Sequence, residues 1–103
     1  MIVEIGLFRI DPRRTRDFEP VAADIRSAFE RGGIHGLRTF HMAPTLEDPG
    51  RWSVLVCWDS VDDHREFVSS NEGVRQRHLL DGFMTSDPDV FHLTLDDATQ
   101  GVL

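Results

Sequence analysis

Residues 51–70 read RWSVLVCWDSVDDHREFVSS, and the fold turns on this stretch. Successive residues of a strand face opposite sides. Over residues 52–58 that sets Trp52, Val54, Val56 and Trp58 against Ser53, Leu55 and Cys57. Neither set suits water, so the strand has to be covered on both faces. Past Asp59, Ser60 stands three residues before Asp63. This is an acidic form of the capping box, which opens a helix and places negative charge in its first turn. Val61, His64, Phe67 and Val68 then share one helical face, with the His64 ring where an apolar residue is expected.

The chain upstream repeats the two-sided pattern. Over residues 2–10, Val3, Ile5, Leu7 and Arg9 oppose Ile2, Glu4, Gly6, Phe8 and Ile10, a strand largely apolar on both sides. Gly6 is read as a packing glycine, the alternative being close approach by a ligand or another backbone. Asp11-Pro12 breaks the strand. Phe18, Val21, Ala22, Ile25, Ala28 and Phe29 recur at three and four, an amphipathic helix over residues 15–31 that Gly32-Gly33 closes. Proline is tolerated only in the first turn, so Pro20 requires the helix to begin near Asp17 or to kink. A second strand over residues 36–43 sets Arg38, Phe40 and Met42 against Leu37, Thr39 and His41. Residues 44–50 form a polar connection to the central strand, in a hairpin with a long loop.

Downstream of the central stretch, Asn71-Glu72-Gly73 is expected to interrupt the helix. A short helix over residues 74–83 follows, with Val74, His78 and Leu79 facing inward, and then the turn Asp87-Pro88-Asp89. A last strand covers residues 90–95 and a polar tail residues 96–103.

The order of elements is β-α-β-β-α-β in a single domain, residues 1–103. That is an α+β, ferredoxin-like architecture: a four-stranded antiparallel sheet with helices on one face. The first and third strands leave a second apolar face with nothing in the chain to cover it. The expected partner is a second copy, sheet against sheet, giving a homodimer with a shared α+β barrel.

Composition narrows the partners. The chain has 11 basic and 18 acidic residues and a formal charge of −7. This argues against nucleic acid and anionic membranes, which need a basic surface. The single cysteine, Cys57, excludes an intrachain disulfide and fits a reducing cytosol. Its place in an apolar strand suggests a small buried hydrophobe. The N-terminus shows neither a basic leader nor a long apolar run, so no signal peptide or membrane span is expected and the location is read as cytoplasmic.

A β-α-β-β-α-β chain with WSVLVCWDSVDDHREFVSS at its centre resembles the dimeric α+β-barrel superfamily, and within it the antibiotic-biosynthesis-monooxygenase-type domains. The carrying residues are the strand ending in Trp58, the turn Asp59-Ser60, and His64 followed by Phe67 and Ser69-Ser70. The topology covers nearly the whole chain, the residue match about a fifth of it. The resemblance implies one of several outcomes: oxidation of aromatic intermediates with O₂ and no bound cofactor, haem degradation, isomerisation of small metabolites, or no reaction. Haem-degrading members use an asparagine on the first strand, a tryptophan on the second helix and a histidine ligand on the following helix. This chain has Gly6 and Phe67 at the first two places, and His78 lies one position off the third. Those departures count against haem degradation.

Cofactor-free oxygenation needs a base, an apolar pocket for a flat substrate, and donors for a developing oxyanion. His64 and His78 are the candidate bases, since an imidazole titrates near neutrality. Trp58 and Phe67 are candidate aromatic walls, and the Trp58 indole N–H a donor. Asn71 and Arg77 are candidate donors to an anionic intermediate. His41 and, beside it, His92 are further, weaker histidine candidates. Each has a plainer reading: a packed histidine, a core tryptophan, a solvated helix face. No histidine pair has zinc-site spacing and there is no Cys-x-x-Cys, so no metal is expected. No phosphate loop precedes a helix, and no cofactor is expected. The reading is a monooxygenase-like protein acting on a small hydrophobic, aromatic molecule. A non-catalytic small-molecule-binding or stress-related barrel and a small-metabolite isomerase are the alternatives.

Overall fold

A computed structural model describes residues 1–95; the polar tail expected over residues 96–103 lies outside the described residues. The strands are β1 (Ile2–Arg9), β2 (Leu37–Pro44), β3 (Arg51–Trp58) and β4 (Asp89–Thr94). The helices are α1 (Thr15–Glu30), α2 (Val61–Ser69) and α3 (Asn71–Asp81), with a 3-10 turn at Pro12–Arg14 leading into α1. One antiparallel sheet has the order β2-β3-β1-β4. The β-α-β-β-α-β, ferredoxin-like fold is as the sequence predicts, with the second helical segment in two pieces.

The faces sort as the alternation demands. Phe8, Met42, Trp52, Val56 and Trp58 of the sheet pack with Phe18, Ala22, Ile25 and Phe29 of α1 in one buried cluster. The Phe18 ring meets Trp52 edge-on at 4.8 Å between centroids, and Phe29 stacks on Phe40 at 3.9 Å. Burying each such ring contributes roughly 1.5–3 kcal/mol. The opposite sheet face carries Leu55, Phe91 and Leu93, all exposed.

Four local readings change. Pro20 lies inside α1, which starts at Thr15; its missing N–H leaves only the Arg16 carbonyl unbonded within the helix, at an exposed position. Strand β2 does not alternate strictly: Leu37 pairs with Trp58 but Thr39 with Cys57, so Arg38 is an extra residue. This β-bulge lets both Leu37 and Phe40 face the helices. Cys57, expected buried, is half-buried on the open face.

The fourth concerns the helix break, which falls at Ser70 instead of Asn71-Glu72-Gly73. Ser70 closes α2 and its hydroxyl accepts from the Gly73 N–H as the cap of α3. Gly73 is therefore in the first turn of α3, where a Cβ would collide with the carbonyl oxygens of Phe67 and Val68. The glycine is there for close approach of the two helices. The inward positions of α3 are accordingly Gly73, Gln76 and Leu80, whereas Val74 and His78 are exposed.

Substituting Gly73→Ala is expected to cost about 1–3 kcal/mol of stability, the range for overpacking a tight site. Chemical denaturation checks this, and an unchanged midpoint would contradict the close approach.

Candidate functional site

A cavity of about 440 Å³ lies between the sheet and the helices, within the size range of small-molecule sites. Gly6, Val54 and Val56 form its sheet side, Trp58 and Phe67 aromatic walls, and Gln76 and Leu80 part of its helical side. A Cβ on Gly6 would meet Val54 Cβ at 3.7 Å and Val90 Cγ2 at 3.9 Å, ordinary contacts. Packing therefore does not require a glycine here, contrary to the packing role expected for it. Its effect is to leave room in the cavity.

One end of the cavity is polar. Trp58 is fully buried at the end of β3, and its indole N–H donates to Oε1 of Glu4 at 2.9 Å. The same oxygen lies 3.2 Å from Nε2 of His64, with the two side chains only 14% and 12% exposed. The His64 ring stacks on Trp58, centroids 5.4 Å apart and planes inclined by 19°. Nδ1 of His64 lies 2.8 Å from Nε2 of His92 on β4.

The 3.2 Å approach of Glu4 Oε1 to Nε2 of His64 is an electrostatic contact that favours a proton on that nitrogen, which leaves Nδ1 to accept from His92. Oε2 of Glu4 makes no hydrogen bond among the described residues. Burial pushes the His64 pKa below its usual value, outweighing the nearby Glu4 carboxylate that raises it, while His92 and Arg65 lower it further. The lowered value favours the neutral form of His64 at pH 7.

The expected site residues separate. His64, Trp58, Phe67, Arg77 and His78 line the cavity. His78 does so from an exposed position and makes no hydrogen bond among the described residues. Arg77 is held by Asp81 at 2.7 Å, with Asp87 at 3.9 Å, so its charge is already balanced. Asn71 lies instead on a separate recess with His35, Asp63 and Glu66. His41 pairs with Leu55 across β2 and β3, on the open face away from the cavity. Parity decides this: Phe40 and Met42 take the helix-facing positions.

Sequence pattern alone does not place Glu4 at the site, and it gives His92 only a weak signal. The parity of β1 put Glu4 on the same side as Gly6 and Phe8, the available signal. Its partners are 54 and 60 residues away, a distance pattern alone does not bridge. Among the described residues no group of three or more His, Cys, Asp or Glu is placed to hold a metal ion, and no helix is long and apolar enough to cross a membrane.

The fold and cavity define a ferredoxin-like α+β domain with an apolar pocket and one polar end. No family model matches the chain. It is 30% identical over 96 residues to the Bacillus subtilis (strain 168) protein YczJ, described as uncharacterized; the match spans 89% of this chain and 96% of that one. The crystal structure of a Bordetella bronchiseptica protein assigned to the antibiotic biosynthesis monooxygenases is 29% identical. It superposes with a TM-score of 0.79 over 92% of this chain and 96% of that one. Rv0793 of Mycobacterium tuberculosis shares the fold at 16% identity and a TM-score of 0.78, covering 94% and 97% of the two chains. The chain belongs to the antibiotic-biosynthesis-monooxygenase-type domains of ferredoxin-like fold.

The lowered His64 pKa carries a sign. Between the folded value and about 6.5 the unfolded chain binds the proton more readily. Stability therefore rises with pH across that interval and is lost as pH falls through it. His64→Gln is expected to flatten this part of the curve in urea denaturation at stepped pH. A slope identical to that of the unsubstituted protein would contradict the assignment.

Proposed function

We propose that the protein is a cofactor-independent monooxygenase that uses O₂ on a small hydrophobic, aromatic metabolite. The observation that carries this reading is the cluster of Glu4, His64 and His92 at the end of an otherwise apolar cavity, Glu4 3.2 Å from His64 and His64 2.8 Å from His92. A carboxylate beside an imidazole at the edge of an apolar cavity is placed to act as a general base. Oε2 of Glu4 is the atom that meets the substrate. The histidine of this base is His64, which fixes and stabilises the carboxylate and connects it to His92 and solvent.

For a substrate with an acidic CH₂ group the chemistry balances without a further reductant. The base takes one proton and leaves a carbanion, delocalised over the ring system, that passes electrons to O₂. Carbon–oxygen bond formation gives a peroxide, which is protonated by the base. Loss of the second C–H proton with cleavage of the O–O bond yields the carbonyl and water. Each O₂ supplies one oxygen to product and one to water. The indole N–H of Trp58 is committed to Glu4, so Trp58 positions the carboxylate instead of meeting the peroxide.

Oxygen uptake with a panel of polycyclic phenols and their CH-acidic relatives tests the reading. With a substrate found, Glu4→Gln and His64→Ala are each expected to lower kcat by about 10²–10⁴-fold, the usual contribution of a positioned base. Unchanged turnover in both would overturn it. Binding without oxygen uptake across the panel would favour a non-catalytic binding protein.

We further propose that the open sheet face is covered by a second copy of this chain. Leu55, Phe91 and Leu93 are exposed there, and Val3, Ile5 and Leu7 share their side of the pairing. Two chains of charge −7 repel, and the strand carboxylate on this face, Asp89, lies at the first position of β4, opposite Leu7. Sedimentation equilibrium is expected to give twice the 11.8 kDa chain mass, with Leu55→Asp shifting it to the monomer. A monomer at all concentrations would contradict the pairing.

A further inference from the structure

Gly6 stands inside β1, paired with Val54 on β3 and with Val90 on β4. A strand-interior glycine gives up conformational entropy and offers no side chain to pack. Its backbone does not call for glycine, since the glycines in the left-handed region are Gly32, Gly33 and Gly36. Packing does not call for it either. Among the described residues beyond its chain neighbours, a Cβ here would come within 4 Å only of Val54 Cβ, at 3.7 Å, and Val90 Cγ2, at 3.9 Å. Both are ordinary carbon–carbon contacts. Gly6, Val54 and Val90 all line the cavity. The two valines are therefore the walls of a slot whose floor is the Gly6 backbone, and at the level of a Cβ the slot is one carbon wide. Glu4 and Phe8 bound it along β1, on the same face and each about 7 Å from Gly6 at the usual strand rise. Because β1 is paired on both sides, the peptide groups of the floor are taken up by the sheet.

We propose that Gly6 is a specificity-determining residue: the slot above it receives the edge of a planar ring, with Val54 and Val90 against the two faces of that ring. The ligand class follows from the shape. A planar polycyclic aromatic body fits a space one carbon wide, whereas a puckered saturated ring carries hydrogens above and below each carbon and does not. The edge in the slot bears no polar substituent, because the floor holds no free polar group to meet one. The ring plane then runs along β1, which directs one end of the ring system toward Glu4. The inference rests on the cavity being a ligand site, as proposed above, and on no particular reaction.

Equilibrium dialysis with fluorene and perhydrofluorene tests the slot, because the two share one tricyclic carbon skeleton and differ in planarity. The saturated compound is the more hydrophobic, so burial alone would favour it. The unsubstituted protein is expected to bind fluorene roughly 10-fold more tightly. Gly6→Ala sets one carbon on the slot floor and is expected to weaken fluorene binding by roughly 10-fold or more, the effect of one methylene in an apolar pocket. Its midpoint in chemical denaturation is expected at or above that of the parent, since alanine suits a strand better than glycine. Val90→Ala opens one wall at a half-exposed position and is expected to bring the ratio of the two affinities to about 1. Equal affinities in the parent, unchanged fluorene binding in Gly6→Ala, or a Gly6→Ala protein less stable than the parent would overturn the slot while leaving the cavity as a site. Failure of the parent to bind either compound would overturn the slot together with the ligand-site reading.

Discussion

The structure depends on one buried indole. Trp58 closes β3 with no exposed surface, and an indole N–H taken out of water needs an acceptor. Across the β1–β3 pairing the acceptor is Glu4. The same carboxylate oxygen lies 3.2 Å from Nε2 of His64, in the first turns of α2. Nδ1 of His64 lies 2.8 Å from Nε2 of His92 on β4. The polar groups follow one another from the centre of the sheet to its edge. The network ties β1, β3, β4 and α2 together and leaves one carboxylate oxygen over at the cavity.

The cavity exists because small or polar residues stand where bulky apolar ones would close it. Gly6 withdraws a side chain from the sheet side, and Gln76 puts an amide on the helical side. Gly73 lets α2 and α3 approach at Ser70, which turns α3 over the sheet with Gln76 and Leu80 inward. The opposite sheet face exposes Leu55, Phe91 and Leu93.

The architecture was legible because it is written in local patterns. The two-sided apolar strand over residues 52–58, the Ser60 cap and the stripe from Phe18 to Phe29 are each readable within a few residues, and β1, β3, α1 and α2 follow. What failed locally failed for local reasons. The bulge at Arg38 shifts parity without a glycine to mark it. Gly73 looks like a helix breaker when its neighbours in space are hidden. Gln76 carries no hydrophobic signal, so the inward face of α3 was placed on Val74 and His78. The site was only half legible: His64, Trp58 and Phe67 stood out as aromatic groups on inward faces, but Glu4 and His92 join them only through the register Ile2↔Trp58 and Glu4↔His92. That register is set by tertiary packing, beyond the reach of pattern.

Glu4, 3.2 Å from Nε2 of His64, is expected to hold His64 as the neutral, Nε2-protonated tautomer. Long-range ¹H–¹⁵N correlation spectra of the imidazole nitrogens, recorded as pH is stepped from 8 to 5, test it most directly. A protonated Nε2 and an acceptor-type Nδ1 are expected for His64 at neutral pH. Protonation is expected only below the usual histidine value, with loss of the tautomer preference in Glu4→Ala. A His64 that is protonated at Nδ1 at neutral pH, or that titrates at or above about 6.5, would contradict it.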